Sequence, residues 1–200
     1  MVVEGVIGVG KTTLVELLAK DFNAKSYLEI VEENPFLVKG FYEDIEANAF
    51  NTELFFLLSR FRQQRLIMMD LLRNPQLIIS DYLFAKNRIF AGLTLKGEDI
   101  EIFDSVFQPL NKKAAAPDLI IYLKADVQGL MRRIYLRDRS FERKMNLEYL
   151  KNLTERYDEF FKNYKETEVM TIDASEIDFV FNLRGYSEIK NLVMEKLKGT

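Results

Sequence analysis

VVEGVIGVGKTTLVELL, residues Val2 to Leu18, sets three glycines, one lysine and two threonines between an apolar start and a helical repeat of Leu14, Leu17 and Leu18. Gly5, Gly10, Lys11 and Thr12 fit G-x-x-x-x-G-K-[ST], with a strand pattern before and an amphipathic helix after, the context in which the pattern holds phosphate. Glycines let backbone N–H groups turn inward on phosphate oxygens, and the helix N-terminus adds a positive dipole end. Lys11 supplies charge to the β- and γ-phosphates and Thr12 an oxygen to Mg²⁺. The alternative is a glycine-rich turn with an incidental lysine, and the complete match in its proper context counts against it.

Outward from that loop, short apolar runs alternate with longer helical patterns, as in a parallel sheet covered by helices. The expected strands are Val2-Val3 leading into the loop, Ser26 to Val31, Leu77 to Ser80, Leu119 to Leu123 and Val169 to Ile172. Leu54, Leu57, Leu58 and Phe61 mark a helix over Glu53 to Leu72, and Ile189, Leu192, Val193 and Leu197 mark another over Tyr186 to Leu197. The fold expected is α/β: a five-stranded parallel sheet flanked by helices, in a single domain over residues 1–200. Only four residues precede the first loop glycine, short for a central strand and expected of a clipped start or a chain excised from something longer.

Composition limits the chemistry. The 200 residues are 48% hydrophobic, enough for a substantial core, and carry a net charge of −3, against a general nucleic-acid surface. With no cysteine and no histidine, disulfides, thiolate nucleophiles, histidine bases and ordinary zinc sites are excluded together. Catalysis must come from carboxylates, Arg, Lys, hydroxyls and backbone. No apolar run approaches a membrane span and no signal-peptide layout opens the chain, so a cytoplasmic location with no membrane partner is expected.

A phosphate loop serves GTPases, ATPase motors and small-molecule kinases alike. A GTPase needs N-K-x-D, and NKKA at Asn111 to Ala114 lacks the aspartate. A motor wants an acidic doublet after a strand, whereas LIISDY offers only Asp81. Asp81 ends an apolar strand where doubly wound sheets bind ligands, and is a candidate metal partner beside Thr12; its structural alternative is an N-cap. RRIYLRDRSFERK, Arg132 to Lys144, holds six basic residues, and Arg133 and Arg137 stand on one helical face where like charges repel. Crowding of that kind fits a lid, about residues 133–144, that closes over polyphosphate and neutralises charge on the transferred group. A solvated helix with internal pairs such as Arg139 with Glu142 is the alternative. Glu53 and Arg60 lie two turns apart on one helix, roughly 10 Å along its axis, with Phe55, Phe56 and Phe61 nearby to stack a flat ring. The other reading is a surface ion-pair helix.

These segments resemble the P-loop deoxynucleoside kinases, the family of deoxycytidine, deoxyguanosine and deoxyadenosine kinases, from Val2 to about Lys198. EGVIGVGKTTL is similar to the family's phosphate loop, EIVEENPFLVKGFYEDIEANAF to its EPVEENP…FYED…AF segment, and FFLLSRFRQQ to its substrate helix. SDYLFAKNRIFA resembles its DRS…FA segment and RRIYLRDRSFE its R-I-x-x-R-x-R lid. The resemblance implies ATP, bound at Gly5, Gly8, Gly10, Lys11, Thr12 and Thr13, as donor with Mg²⁺, and a homodimer. It makes Glu29 the base that takes the proton of the sugar 5′-hydroxyl, with Glu32 and Glu33 as physical competitors. Tyr42 and Glu142 match the pair holding the 3′-hydroxyl. Arg133, Arg137 and Arg139 match the lid arginines, Arg137 also lying against adenine, which further meets the loop around Asp173 to Asp178.

The departures are informative. The family's acidic-Arg-Ser triplet reads Asp81-Tyr82-Leu83, so the arginine at the 5′-oxygen is missing and Arg88 is the candidate replacement. The substrate-helix glutamine is Glu53, and the aspartate of the base pocket is Asn87. An ionised glutamate only accepts hydrogen bonds, so it suits the paired donors of guanine, and adenine through its 6-amino group with Arg60 or Asn87 on the ring nitrogens. A purine 2′-deoxynucleoside is the expected substrate, with thymine the competing fit. The rival functions are a nucleoside-monophosphate kinase resembling thymidylate kinase and a catalytically silent nucleotide-binding domain.

Overall fold

A computed structural model describes residues 1–175, 177, 179 and 183–198. Five parallel strands form one sheet: β1 (Val2–Gly5), β2 (Lys25–Tyr27), β3 (Ile78–Ser80), β4 (Leu119–Lys124) and β5 (Glu168–Asp173), in the order β2-β3-β1-β4-β5. The glycine-loop strand is central. Val2 to Gly5 pair with Ile120 to Leu123 on one side, and Val2 pairs with Ser80 on the other. All four residues of β1 and the first five of β4 are buried, the near-continuous apolar run of a parallel strand covered on both faces.

Eight α-helices complete the described chain: α1 (Lys11–Asp21), α2 (Pro35–Val38), α3 (Ile45–Arg73), α4 (Lys86–Thr94), α5 (Gly97–Asn111), α6 (Val127–Arg137), α7 (Leu147–Asn163) and α8 (Leu183–Lys198). Their starts follow from local chemistry. Asn34, ahead of Pro35, accepts from the N–H groups of Phe36 and Leu37, while Asp44 caps α3 and Asp126 caps α6.

Three expectations are corrected. The second strand was expected over Ser26 to Val31 but ends at Tyr27, because the next backbone groups turn to other partners: Glu29 N–H donates to Asp81 Oδ1 at 2.8 Å and Gln63 donates to Leu28 O. Glu29 therefore sits in irregular chain beyond the strand. The long helix starts eight residues before Glu53, at Ile45, and its buried face keeps Leu57 of the expected stripe but not Leu58. Leu58 is 54% exposed, whereas Glu53, Leu57, Arg60 and Gln64 are buried. In α8, Ile189 and Val193 are buried while Leu192 and Leu197 face outward. No helix among the described residues is long and apolar enough to cross a membrane.

Candidate active site

The phosphate loop joins β1 to α1, and two glycines explain its shape. A Cβ on Gly5 would lie 2.4 Å from the backbone oxygen of Leu123 in β4. Gly8, at φ +85°, would bring one within 2.8 Å of Ile134 in α6, so the helix leading into the basic segment rests directly on the loop. Lys11, the first residue of α1, folds back to donate to Gly5 O at 2.8 Å and Val6 O at 3.2 Å. Burial, and next the neighbouring Lys86 cation, push its ammonium down to about 8.

Asp81, just past β3, is the joint of the site. Its Oδ2 accepts from the Thr12 hydroxyl at 2.8 Å, and its Oδ1 accepts from Glu29 N–H at 2.8 Å. It does not cap the helix that follows; Ala85 occupies the N-cap of α4. One carboxylate thus ties the start of α1 to the chain just after β2, across 69 and 52 residues of sequence.

Glu29 faces two cations. Arg60 Nε donates to its Oε1 at 2.5 Å and Lys86 Nζ to its Oε2 at 2.9 Å. Burial pushes its pKa up, but Arg60 and Lys86 together outweigh that and hold the carboxyl at about 2. Glu32 instead pairs with Arg139 at 3.1 Å and, like Glu33, is exposed; neither lines the cavity that Glu29 borders.

Glu53, Arg60, Tyr42 and Glu142 line the same cavity. Glu53 is 2% exposed, and among the described residues its carboxylate accepts only from the Thr94 hydroxyl, at 3.0 Å. Arg60 also donates to Asn87 Oδ1 and lies 4.6 Å over the Phe56 ring. Asn87 itself is fully buried behind Arg60. Phe56 borders the cavity; Phe55 and Phe61 do not, Phe61 packing on Phe84 instead. Tyr42 stands edge-on to Phe41 and Tyr149.

The basic segment divides into separate partnerships, which removes the repulsion its spacing implies. Arg133 donates to Val9 O and Ala174 O, clamping the loop. Arg137 donates to both oxygens of Glu142 at 2.7 Å, and Arg139 bridges Glu142 and Glu32. Of these three, Arg137 and Arg139 border the cavity and Arg133 does not. In the stretch Asp173 to Asp178 expected against adenine, Glu176 and Asp178 lie outside the described residues. Arg88, the expected replacement cation, points elsewhere: it pairs with Asp104 at 2.7 Å and does not border the cavity.

A family profile described as "Deoxynucleoside kinase" matches residues 1–198. The chain belongs to the deoxynucleoside kinase family. It is 37% identical over 197 residues to the deoxyguanosine kinase of Bacillus subtilis, covering 96% of this chain and 95% of that one. It is 30% identical over 196 residues to the deoxyadenosine/deoxycytidine kinase of the same organism, covering 96% and 88%. Among solved structures, the deoxyadenosine kinase from M. mycoides with bound dCTP superposes with a TM-score of 0.82 at 25% identity, covering 100% of both chains. The kinase is thus an enzyme that phosphorylates a deoxynucleoside to its monophosphate, and the thymidylate-kinase-like and silent-domain readings give way.

Sequence reasoning missed two charged groups of the kinase. Lys86 is 3% exposed at the start of α4, with Nζ on Glu29 and 4.0 Å from Glu4. Glu4 is fully buried in β1; its carboxylate accepts from Gly5 N–H, Leu83 N–H and the Tyr157 hydroxyl. A glutamate inside an otherwise apolar central strand was the available signal, since a buried charge demands a partner. Lys86 gave a similar one, being four residues before Phe90 in a helix that must pack inward.

Glu53 carries a pH signature. Burial pushes its carboxyl from 4.5 up to about 7, against the opposing pull of Arg60 and the Thr94 hydroxyl. The folded protein therefore binds that proton more tightly than the unfolded chain. The associated stability is full below about pH 4.5 and is lost as pH rises through 7, by roughly 3 kcal/mol. In urea unfolding at pH 5 and pH 8, Glu53→Gln is expected to remove that decline. A decline that persists in the variant assigns it to other groups.

Proposed function

We propose that this kinase uses ATP, with Mg²⁺, to phosphorylate the 5′-hydroxyl of a purine 2′-deoxynucleoside, deoxyguanosine foremost. The observation that carries the base assignment is the buried Glu53 carboxylate in the wall of the cavity that Lys11 and Thr12 also border. An ionised carboxylate accepts two hydrogen bonds side by side, and guanine N1–H with its 2-amino group supplies both. Because this group titrates near neutrality, its protonated form offers one donor and one acceptor, which suits adenine N1 and the 6-amino group. Guanine preference should then strengthen as pH rises above 7.

The residues have separate duties. Backbone N–H groups of the loop, the α1 N-terminus and Lys11 bind the triphosphate. Tyr42 and Glu142 hold the sugar 3′-hydroxyl, and Glu29 takes the 5′-hydroxyl proton. Arg137 and Arg139 leave Glu142 and Glu32 to reach the phosphates as the basic segment closes. The Thr12 hydroxyl and Asp81 carboxylate, hard oxygen donors 2.8 Å apart, fit Mg²⁺, which takes one or two protein oxygens beside substrate phosphates. When bound, the ion neutralises phosphate charge. A single domain, a homodimer and a cytoplasmic location belong to the same proposal; sedimentation of the purified kinase checks the dimer.

Initial rates with the four deoxynucleosides and MgATP test the base assignment. Deoxyguanosine is expected to be fastest, and thymidine or deoxycytidine ahead by tenfold overturns the purine preference. Glu53→Gln, which presents a fixed donor and acceptor, is expected to move preference toward deoxyadenosine while costing the best rate little. A uniform fall across all four bases makes Glu53 a purely structural group.

A further inference from the structure

We propose that Lys86 supplies the acceptor-side positive charge that Tyr82 cannot, as a catalytic residue at the 5′-oxygen and the transferred phosphoryl group. This rests on the reading of Glu29 as the acceptor-side base.

The argument starts from Tyr82, which stands where a cation was expected after Asp81. It is fully buried and does not border the cavity. Four residues on, one turn of chain, Lys86 does border it. The intervening turn is fixed at both ends: Leu83 N–H donates to Glu4 Oε2 at 2.7 Å, and Lys86 N–H donates back to Leu83 O. The segment is thereby anchored to β1 immediately before the phosphate loop, and Lys86 Nζ is delivered between Glu29, at 2.9 Å, and Glu4, at 4.0 Å.

An ammonium this buried is costly unless compensated, and two carboxylates compensate it. The arrangement is not a simple structural pair, because Glu29 already has Arg60. Arg60 is itself fixed by Asn87 and the Phe56 ring, so its planar guanidinium is committed to one orientation. Lys86 is a compact point charge with three rotatable donors, only one of them on Glu29.

The chemistry gives those donors a use. As the 5′-oxygen attacks, its O–H bond breaks and the proton passes to Glu29. The O–Pγ bond forms as the bond from Pγ to the β,γ-bridging oxygen breaks, and ADP leaves with that electron pair. Neutralising Glu29 releases Lys86 from the closer of its two carboxylates, with Glu4 still 4.0 Å away, at the moment that charge is spreading over the phosphoryl oxygens. A cation freed in the transition state but paired in the ground state stabilises the former selectively.

Two variants test this: Lys86→Met and Lys86→Arg. Each is assayed with whichever deoxynucleoside the unaltered kinase turns over fastest, so a wrong base assignment leaves this test intact. Lys86→Met is expected to lower kcat by about 100-fold with the KM for ATP nearly unchanged, and Lys86→Arg to retain most of the rate. A kcat for Lys86→Met within threefold of the unaltered kinase overturns the proposal. So does an equal loss in Lys86→Met and Lys86→Arg, the pattern of a lysine that only packs.

Discussion

Lys11→Ala is expected to cut kcat by roughly 1,000-fold or more, the upper end of what one charge-stabilising donor contributes at a transition state. The lysine begins α1 at the mouth of the glycine loop, and in the free protein its ammonium is held by Gly5 O and Val6 O. Those carbonyls are the loop's own, so Nζ would have a short path from them to a phosphate held by the loop. The same placement makes donor binding pH-sensitive. With the ammonium pushed down to about 8 by burial and by Lys86, the free kinase loses that charge as pH rises past 8. Affinity for ATP should then weaken above pH 8 in the unaltered kinase and not in Lys11→Ala. Steady-state rates and ATP titrations between pH 6.5 and 9 read both effects; an unchanged kcat in Lys11→Ala contradicts the site.

Glu29→Gln is expected to lower kcat by on the order of 100-fold or more, the usual cost of a lost general base, with ATP binding nearly intact. The ion pairs add a second, independent consequence. The amide leaves Arg60 and Lys86 buried without their shared counter-charge, which destabilises by a few kcal/mol. The sign follows from the carboxyl being held at about 2 against 4.5 for an unperturbed glutamate. Its contribution is present above pH 4.5 and disappears as pH falls from 4.5 toward 2. Unfolding curves should therefore separate the two proteins at pH 6 and bring them together in strong acid. Full activity in Glu29→Gln would return the role to Glu32 or Glu33, which the structure places on Arg139 or in solvent.

Much of this was legible in the chain. The phosphate loop is a local device: its glycines, lysine and threonine lie within eight residues, and neighbouring strand and helix patterns are set by side-chain period alone. The five strands appeared where apolar runs were read, with their boundaries off by a residue or more. The order in which strands pair is a property of crossovers that no local pattern encodes, although a central position for the loop strand fits its uninterrupted burial.

Elsewhere the reading failed for a single reason. On α3 the sequence marked Leu58 as core and treated Glu53 and Arg60 as a separate polar stripe. The fold does the reverse with Leu58, and buries the polar pair beside Leu57. Hydrophobicity predicts the inward face only when nothing on another element can pair or hydrogen-bond a charge. Here Glu29, Asn87 and Thr94, 31, 27 and 41 residues away from their partners, do so. The same holds for Lys86 against Arg88: the two are neighbours but one in sequence, and only the anchoring of the Leu83 turn on Glu4 decides which enters the cavity.

The sequence by itself therefore determined the phosphate cradle, the alternation of strand and helix, and the identity of the acids and cations available. Only the tertiary structure decided which of those charges meet. Burial of a charge depends on partners brought from distant elements, and that is settled when the sheet order and helix packing are settled together.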